Sequence, residues 1–128
     1  MYNTSHSNAI LFLRKAKEFI EKARALRNSP NCNEFLKESK NSFILIARAL
    51  LVLKGIDTKG LWNPQNLSSV IEKIEPRAKG IHEKALAADI SESTYQDLCK
   101  AANLYLELTE LLIELIRSIN THFADMIS

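Results

Sequence analysis

Two arginine–histidine pairs recur at one spacing in this chain, Arg77 with His82 and Arg117 with His122. An imidazole can take up and release a proton near neutral pH, and a guanidinium can stabilise negative charge as it develops. The third histidine, His6, has no companion. Arg48 is the lone charge inside an apolar run and has two readings. Its stem can lie along a helix seam with its head in water, or its forked donors can meet a phosphate or carboxylate. Lys54, Lys59, Arg77, Lys79 and Lys84 form a basic rim if the two linkers that hold them lie together. Trp62, beside Asn63-Pro64, could stack on a base, but a linker tryptophan more often plugs the open end of a bundle.

Several chemistries lack their residues. There is no glycine-rich phosphate loop, no Glu-x-x-His pair of a di-iron bundle and no nucleophile-elbow motif. Cys32 and Cys99 have neither partner-like spacing nor companion ligands, so they read as intracellular thiols, Cys99 in the core, with no metal site, disulfide or cofactor. The opening MYNTSHSN lacks the pattern of a signal peptide. The longest apolar stretch is shorter than a membrane span and contains Arg48. A cytoplasmic protein without a membrane contact is the expectation.

At 128 residues, with 46% hydrophobic and 25% charged residues, the chain has the composition of one globular domain over residues 1–128. Charge is uneven. Residues 1–40 hold eight Lys/Arg against four Asp/Glu, residues 41–87 seven against four, and residues 88–128 two against seven. A basic front permits RNA or nucleotide binding, although solvated helix faces produce the same pattern.

The elements that must position these groups are helices. Phe12, Ala16, Phe19, Ala23 and Leu26 predict a first helix over about Asn8 to Arg27, with Arg14, Lys15 and Lys17 mostly outside. Asn31 or Asn33 can cap a second helix that is apolar nearly all round and stops at Lys54-Gly55. Such a helix belongs inside a bundle or across a protein–protein interface. Asn63-Pro64 starts a short helix striped by Leu67, Val70, Ile71 and Ile74 and ended by Pro76. A short helix interrupted at Gly80 is expected over 77–90. Ser93 with Gln96 matches a capping box for the last long helix. Its seam of Leu98, Ala102, Tyr105, Thr109, Leu112, Ile116 and Ile119 suits antiparallel packing, with Tyr95 and Tyr105 on the core side. The expected fold is all-α, an up-and-down four-helix bundle with a short extra helix.

This order of parts resembles the HEPN superfamily, small helical bundles found beside minimal nucleotidyltransferases and among RNase toxins. FLRKAKEFIEKARAL, FLKESKNSFILIARALLVLKGI, NLSSVIEKI and YQDLCKAANLYLELTELL carry the resemblance, which covers nearly the whole chain. ARALLVLKGI is its most family-like segment.

The resemblance implies a homodimer, a toxin–antitoxin or nucleotidyltransferase-associated role, and possible metal-independent cleavage of RNA. In that reading His82 takes the proton of the 2′-hydroxyl and Arg77 stabilises the phosphate. Arg48, Lys54, Lys59 and Lys79 would bind RNA or nucleotide. The polar residues that commonly follow the family's arginine are absent, since Ala78 and Gly80 fill the interval. The other reading is a non-catalytic module that binds a nucleotide or a protein.

Overall fold

The computed structural model describes residues 2–94 and 97–127, which are all-helical with no strand among them. Their order is α1 (Tyr2–Ala25), α2 (Cys32–Leu53), α3 (Pro64–Ile74), a single 3-10 turn (Pro76–Ala78), α4 (Ile81–Ser93), α5 (Leu98–Ile119) and α6 (Thr121–Asp125). The first helix begins six residues before the expected Asn8. His6 lies on it, but its side chain is outside what is described, as are Tyr95 and Gln96.

The ends of α2 follow from local chemistry. The Asn31 side chain accepts the Glu34 amide (3.1 Å), satisfying one of the free donors of the first turn. At the other end the Gly55 amide donates to the Val52 carbonyl (3.0 Å) and that of Ile56 to Leu51 (2.9 Å). That paired closure requires a left-handed residue, which Gly55 supplies at φ 80°. Asn63 caps α3 as expected, its side chain accepting the Gln65 and Asn66 amides (2.8 and 3.0 Å).

Two expected boundaries were wrong. Gly80 precedes α4 at φ 94° and does not interrupt it. It cannot cap the helix with a side chain, so Glu72 on α3 reaches across to accept the Gly80 amide (2.6 Å). The last long helix is capped by Asp97, which accepts the Lys100 amide (2.9 Å), and Ser93 is the final residue of α4. Asp is as good a cap as Ser.

The apolar character of α2 is accounted for within the chain. Phe35, Phe43, Ile46, Leu50 and Leu51 are fully buried, with α1 and α5 packed along it. Ser39 and Ser42 are also buried, the latter donating to the Glu38 carbonyl (2.7 Å). The seam of α5 is buried from Ala102 through Tyr105, Thr109 and Leu112 to Ile116, while Ile119 is exposed.

Cys32 and Cys99 form a disulfide with Cα atoms 4.8 Å apart, correcting the reading of free thiols. The bond joins the first turns of α2 and α5, and Phe43 meets Tyr105 further along, with ring centroids 6.1 Å apart. These two helices therefore run in the same direction, where antiparallel packing was expected of the α5 seam. Opposite the disulfide, the ends of α2, α3 and α5 gather with the linkers.

Candidate functional site

Arg77 and His82 are held by different partners. Arg77 wraps a carboxylate: its Nη2 donates to Glu75 Oε1 (2.7 Å), and its Nε and backbone amide donate to Oε2 (both 3.1 Å). Its Nη1 donates to Ser118 Oγ on α5 (2.7 Å). Lys54 reaches the same Glu75 Oε1 at 3.2 Å. Hydrogen bonds from Arg77, with Lys54 assisting, hold the Glu75 carboxyl down at about 2 despite its burial. The two linkers do meet here, as the basic rim required. One buried acid, Glu75, pairs with two of the rim's cations, Lys54 and Arg77.

His82, on the first turn of α4, faces α3. Its Nδ1 lies 2.9 Å from Ser68 Oγ, and the Ser68 hydroxyl is also 2.8 Å from the Gln65 carbonyl. Ser68 Oγ thus sits between the Gln65 carbonyl and Nδ1 of His82 and occupies that ring nitrogen. Ser68 is wholly buried, so this contact joins α3 to α4 and presents no nucleophile to solvent. A small pocket beside His82 (260 Å³) is walled by Glu72, Lys79 and Glu83, and Arg77 does not line it. Lys79 and Lys59 are exposed. In the second pair, Arg117 lies near Glu114 and Asp125 (3.6 and 3.8 Å), and His122 is exposed on α6.

Arg48 fits neither of its expected readings. Its side chain is only 5% exposed, and it meets no phosphate-ready surface. One nitrogen, Nη1, donates to two linker carbonyls, Thr58 (2.8 Å) and Leu61. The guanidinium lies 3.6 Å from the ring centre of Trp62 and 4.9 Å from that of Phe12. Burial pushes its pKa down, partly offset by Asp57. Among the described residues it makes no ion pair, and aromatic faces supply the negative potential a carboxylate would otherwise give. Trp62 is consequently not a plug: it is 54% exposed, with one face on Arg48.

Trp62 closes one end of a groove of 510 Å³ between α1 and α2. Phe12, Phe19, Ile44 and Leu45 form its apolar lining together with Leu11, itself 58% exposed. Phe12 and Phe19 are two turns apart on one face of α1, separated by about 10 Å. Between them stand Arg14 and Lys15, which make no ion pair among the described residues, and Asn41 faces them from α2. The volume is in the range of small-ligand sites, and the mix of apolar walls with few polar groups is typical of them. A second cleft (430 Å³) lies by Glu110, but Arg24 grips that carboxylate at 2.9 and 2.8 Å.

No family model, curated protein or solved structure matches this chain.

The groove residues are visible in the sequence, but their pattern there has more ordinary readings. Phe12 and Phe19 read as core, and Arg14 and Lys15 as an ordinary solvated face. A signal existed in the basic pair between aromatics seven residues apart, although only docking on α2 turns that pattern into a cavity. Among the described residues, no group of His, Cys, Asp and Glu could hold a metal ion. No described helix is long and apolar enough to cross a membrane.

Proposed function

We propose that this chain is a non-catalytic binding module on a HEPN-like four-helix scaffold, with its ligand held in the groove between α1 and α2. The groove itself carries the reading: a half-open apolar cavity, one wall of which is fixed by a buried arginine. Holding Arg48 out of water is costly unless it is well satisfied, and its contacts set Trp62 at the groove mouth. The HEPN-like arrangement is supported by helix order, with α3 and α4 together taking the third place.

The ribonuclease reading has less support. Arg77 is neutralised by Glu75, and the Nδ1 of His82 is engaged by Ser68. A nucleotidyltransferase partner and a toxin–antitoxin setting are proposed on the resemblance alone. The homodimer expected through α2 loses its main argument, because that helix is buried within one chain. A cytoplasmic setting is opposed by the Cys32–Cys99 bond, since such bonds persist mainly in oxidising compartments.

Two measurements test the module. Purified protein and its His82→Ala variant, incubated with mixed RNA in EDTA, should both leave the RNA intact. Nile red, an uncharged apolar dye, should brighten on the wild type and lose most of that signal with Ile44→Glu. RNA cutting that depends on His82 would restore the enzyme. Dye binding indifferent to Ile44 would remove the groove.

A further inference from the structure

The charged side chains that line the groove carry one sign. Arg14 and Lys15 lie at its side without ion-pair partners among the described residues, and Arg48 lies behind Trp62, compensated by carbonyls and rings. No Asp or Glu is among the lining residues. The nearest carboxylates by position lie outside the lining. Glu38, one turn before Asn41, is buried with one carboxylate oxygen lacking a hydrogen-bond partner. Glu18 is exposed one turn along α1 from Arg14 and Lys15 and pairs with neither; Asp57 acts on Arg48 from the linker.

That charge pattern selects among occupants. A second copy docked face to face by two-fold symmetry would set Arg14 and Lys15 against themselves. A nucleotide could stack on Trp62 but would find one neutral polar side chain, Asn41, to read its base edge. A long helix would meet a cavity only about two turns in length. An apolar body with an anionic end meets each feature: hydrocarbon against Phe12, Phe19 and Leu45, and the charge at Arg14 and Lys15.

We infer that the α1–α2 groove is a binding site for a small amphipathic anion, an aliphatic or aryl body ending in a carboxylate or a similar acid. This rests on the reading of the groove as a ligand site, which the uncharged dye tests separately. The apolar walls supply most of the affinity by removing hydrocarbon from water. The cations decide orientation and class. Arg48 acts through Trp62 and does not touch the ligand; it holds the indole where it can cover the hydrocarbon.

Trp62 is the only tryptophan in the chain, so its fluorescence reports on the groove without a label. The full-length protein is titrated with decanoate below its micelle onset and, in parallel, with decanol and AMP. Decanoate should change the emission saturably. Decanol, which keeps the body and lacks the charge, should bind about tenfold more weakly, the effect of two exposed ion pairs. Arg14→Glu with Lys15→Glu should bring decanoate down to the level of decanol. Both residues are exposed, so this variant should keep the helicity and melting of the wild type.

Equal binding of decanoate and decanol would overturn the proposal while leaving a groove that takes apolar ligands. So would decanoate binding that survives the charge reversal. Tighter binding of AMP than of decanoate would make the ligand a nucleotide. Emission that shifts with protein concentration alone, tracking dimerisation by sedimentation, would give the groove to a second copy.

Discussion

Arg48 and Glu75 are buried charges in the linker half of the molecule, and they are met in opposite ways. Arg48 is met only in part, since its buried Nε has no hydrogen-bond partner among the described residues. Glu75 has counter-charges: the exposed guanidinium of Arg77 and the ammonium of Lys54 both close on it. Arg48 has no such ion pair among the described residues, and two carbonyls and two aromatic faces take its place. The difference has consequences at the surface. Around Glu75 one carboxylate draws two cations into a structural knot joining α2, α3 and α5. Around Arg48 no carboxylate makes contact among the described residues, and the charge lies beneath an exposed indole with Asp57 acting on it only from a distance. A cluster of basic residues in sequence is thus a poor guide to a binding site, because buried acids can claim them.

The largest expected effect sets a scale for both. Removing the disulfide with Cys32→Ala and Cys99→Ala frees a separation of 67 residues, for which chain entropy gives about 4 kcal/mol. Urea unfolding should show it, with the Trp62 environment in the native state unaltered, since the bond lies at the opposite end of α2. A changed native Trp62 spectrum would mean that the groove depends on the staple.

Arg48→Met comes next, at about 3 kcal/mol, because the buried carbonyl of Thr58 and its neighbour at Leu61 lose their donor. Unlike the loss of the disulfide, this change should also alter native Trp62 emission and weaken ligand binding at the groove. Arg48→Lys should recover part of the stability and little of the Trp62 signal, as an ammonium lacks the flat stacking surface. A fully stable Arg48→Met protein would show that the carbonyls find other donors, and the contrast with Glu75 would vanish.

How far the sequence disclosed these two sites depends on how local each is. The stop of α2 at Lys54-Gly55 and the start of α3 at Asn63-Pro64 were legible, because a left-handed glycine and a capping asparagine act within four residues. The cap of α5, Asp97, is local too, but the Ser93–Gln96 pattern just before it points to the wrong residue. Arg48 was not legible. Its surroundings come from Phe12, Thr58, Leu61 and Trp62, which only the packing of α1 and the linker on α2 brings together. The Cys32–Cys99 bond was hidden for the same reason: two cysteines 67 residues apart become neighbours only once α2 and α5 run the same way. The Arg77–His82 spacing was visible, but the sequence did not show that Glu75, two residues earlier, would take the arginine.

The smallest of these effects has a distinctive pH signature. Glu75→Gln keeps the shape and part of the hydrogen bonding while removing the charge, and should cost about 2 kcal/mol near neutral pH. The folded carboxyl titrates at about 2, below its ordinary 4.5. Its contribution is therefore full above pH 4.5 and fades as pH falls toward 2, where both states bind the proton. The gap between wild type and Glu75→Gln in urea midpoint should be widest from pH 5 upward and close as acid is added. Arg48→Met should show no such closure, since a guanidinium keeps its proton throughout that window. Parallel acid titrations of the two variants thus separate a charge held by counter-charges from one held by carbonyls and rings. Equal pH dependence in both would mean that Glu75 is not the acid-sensitive member of the pair.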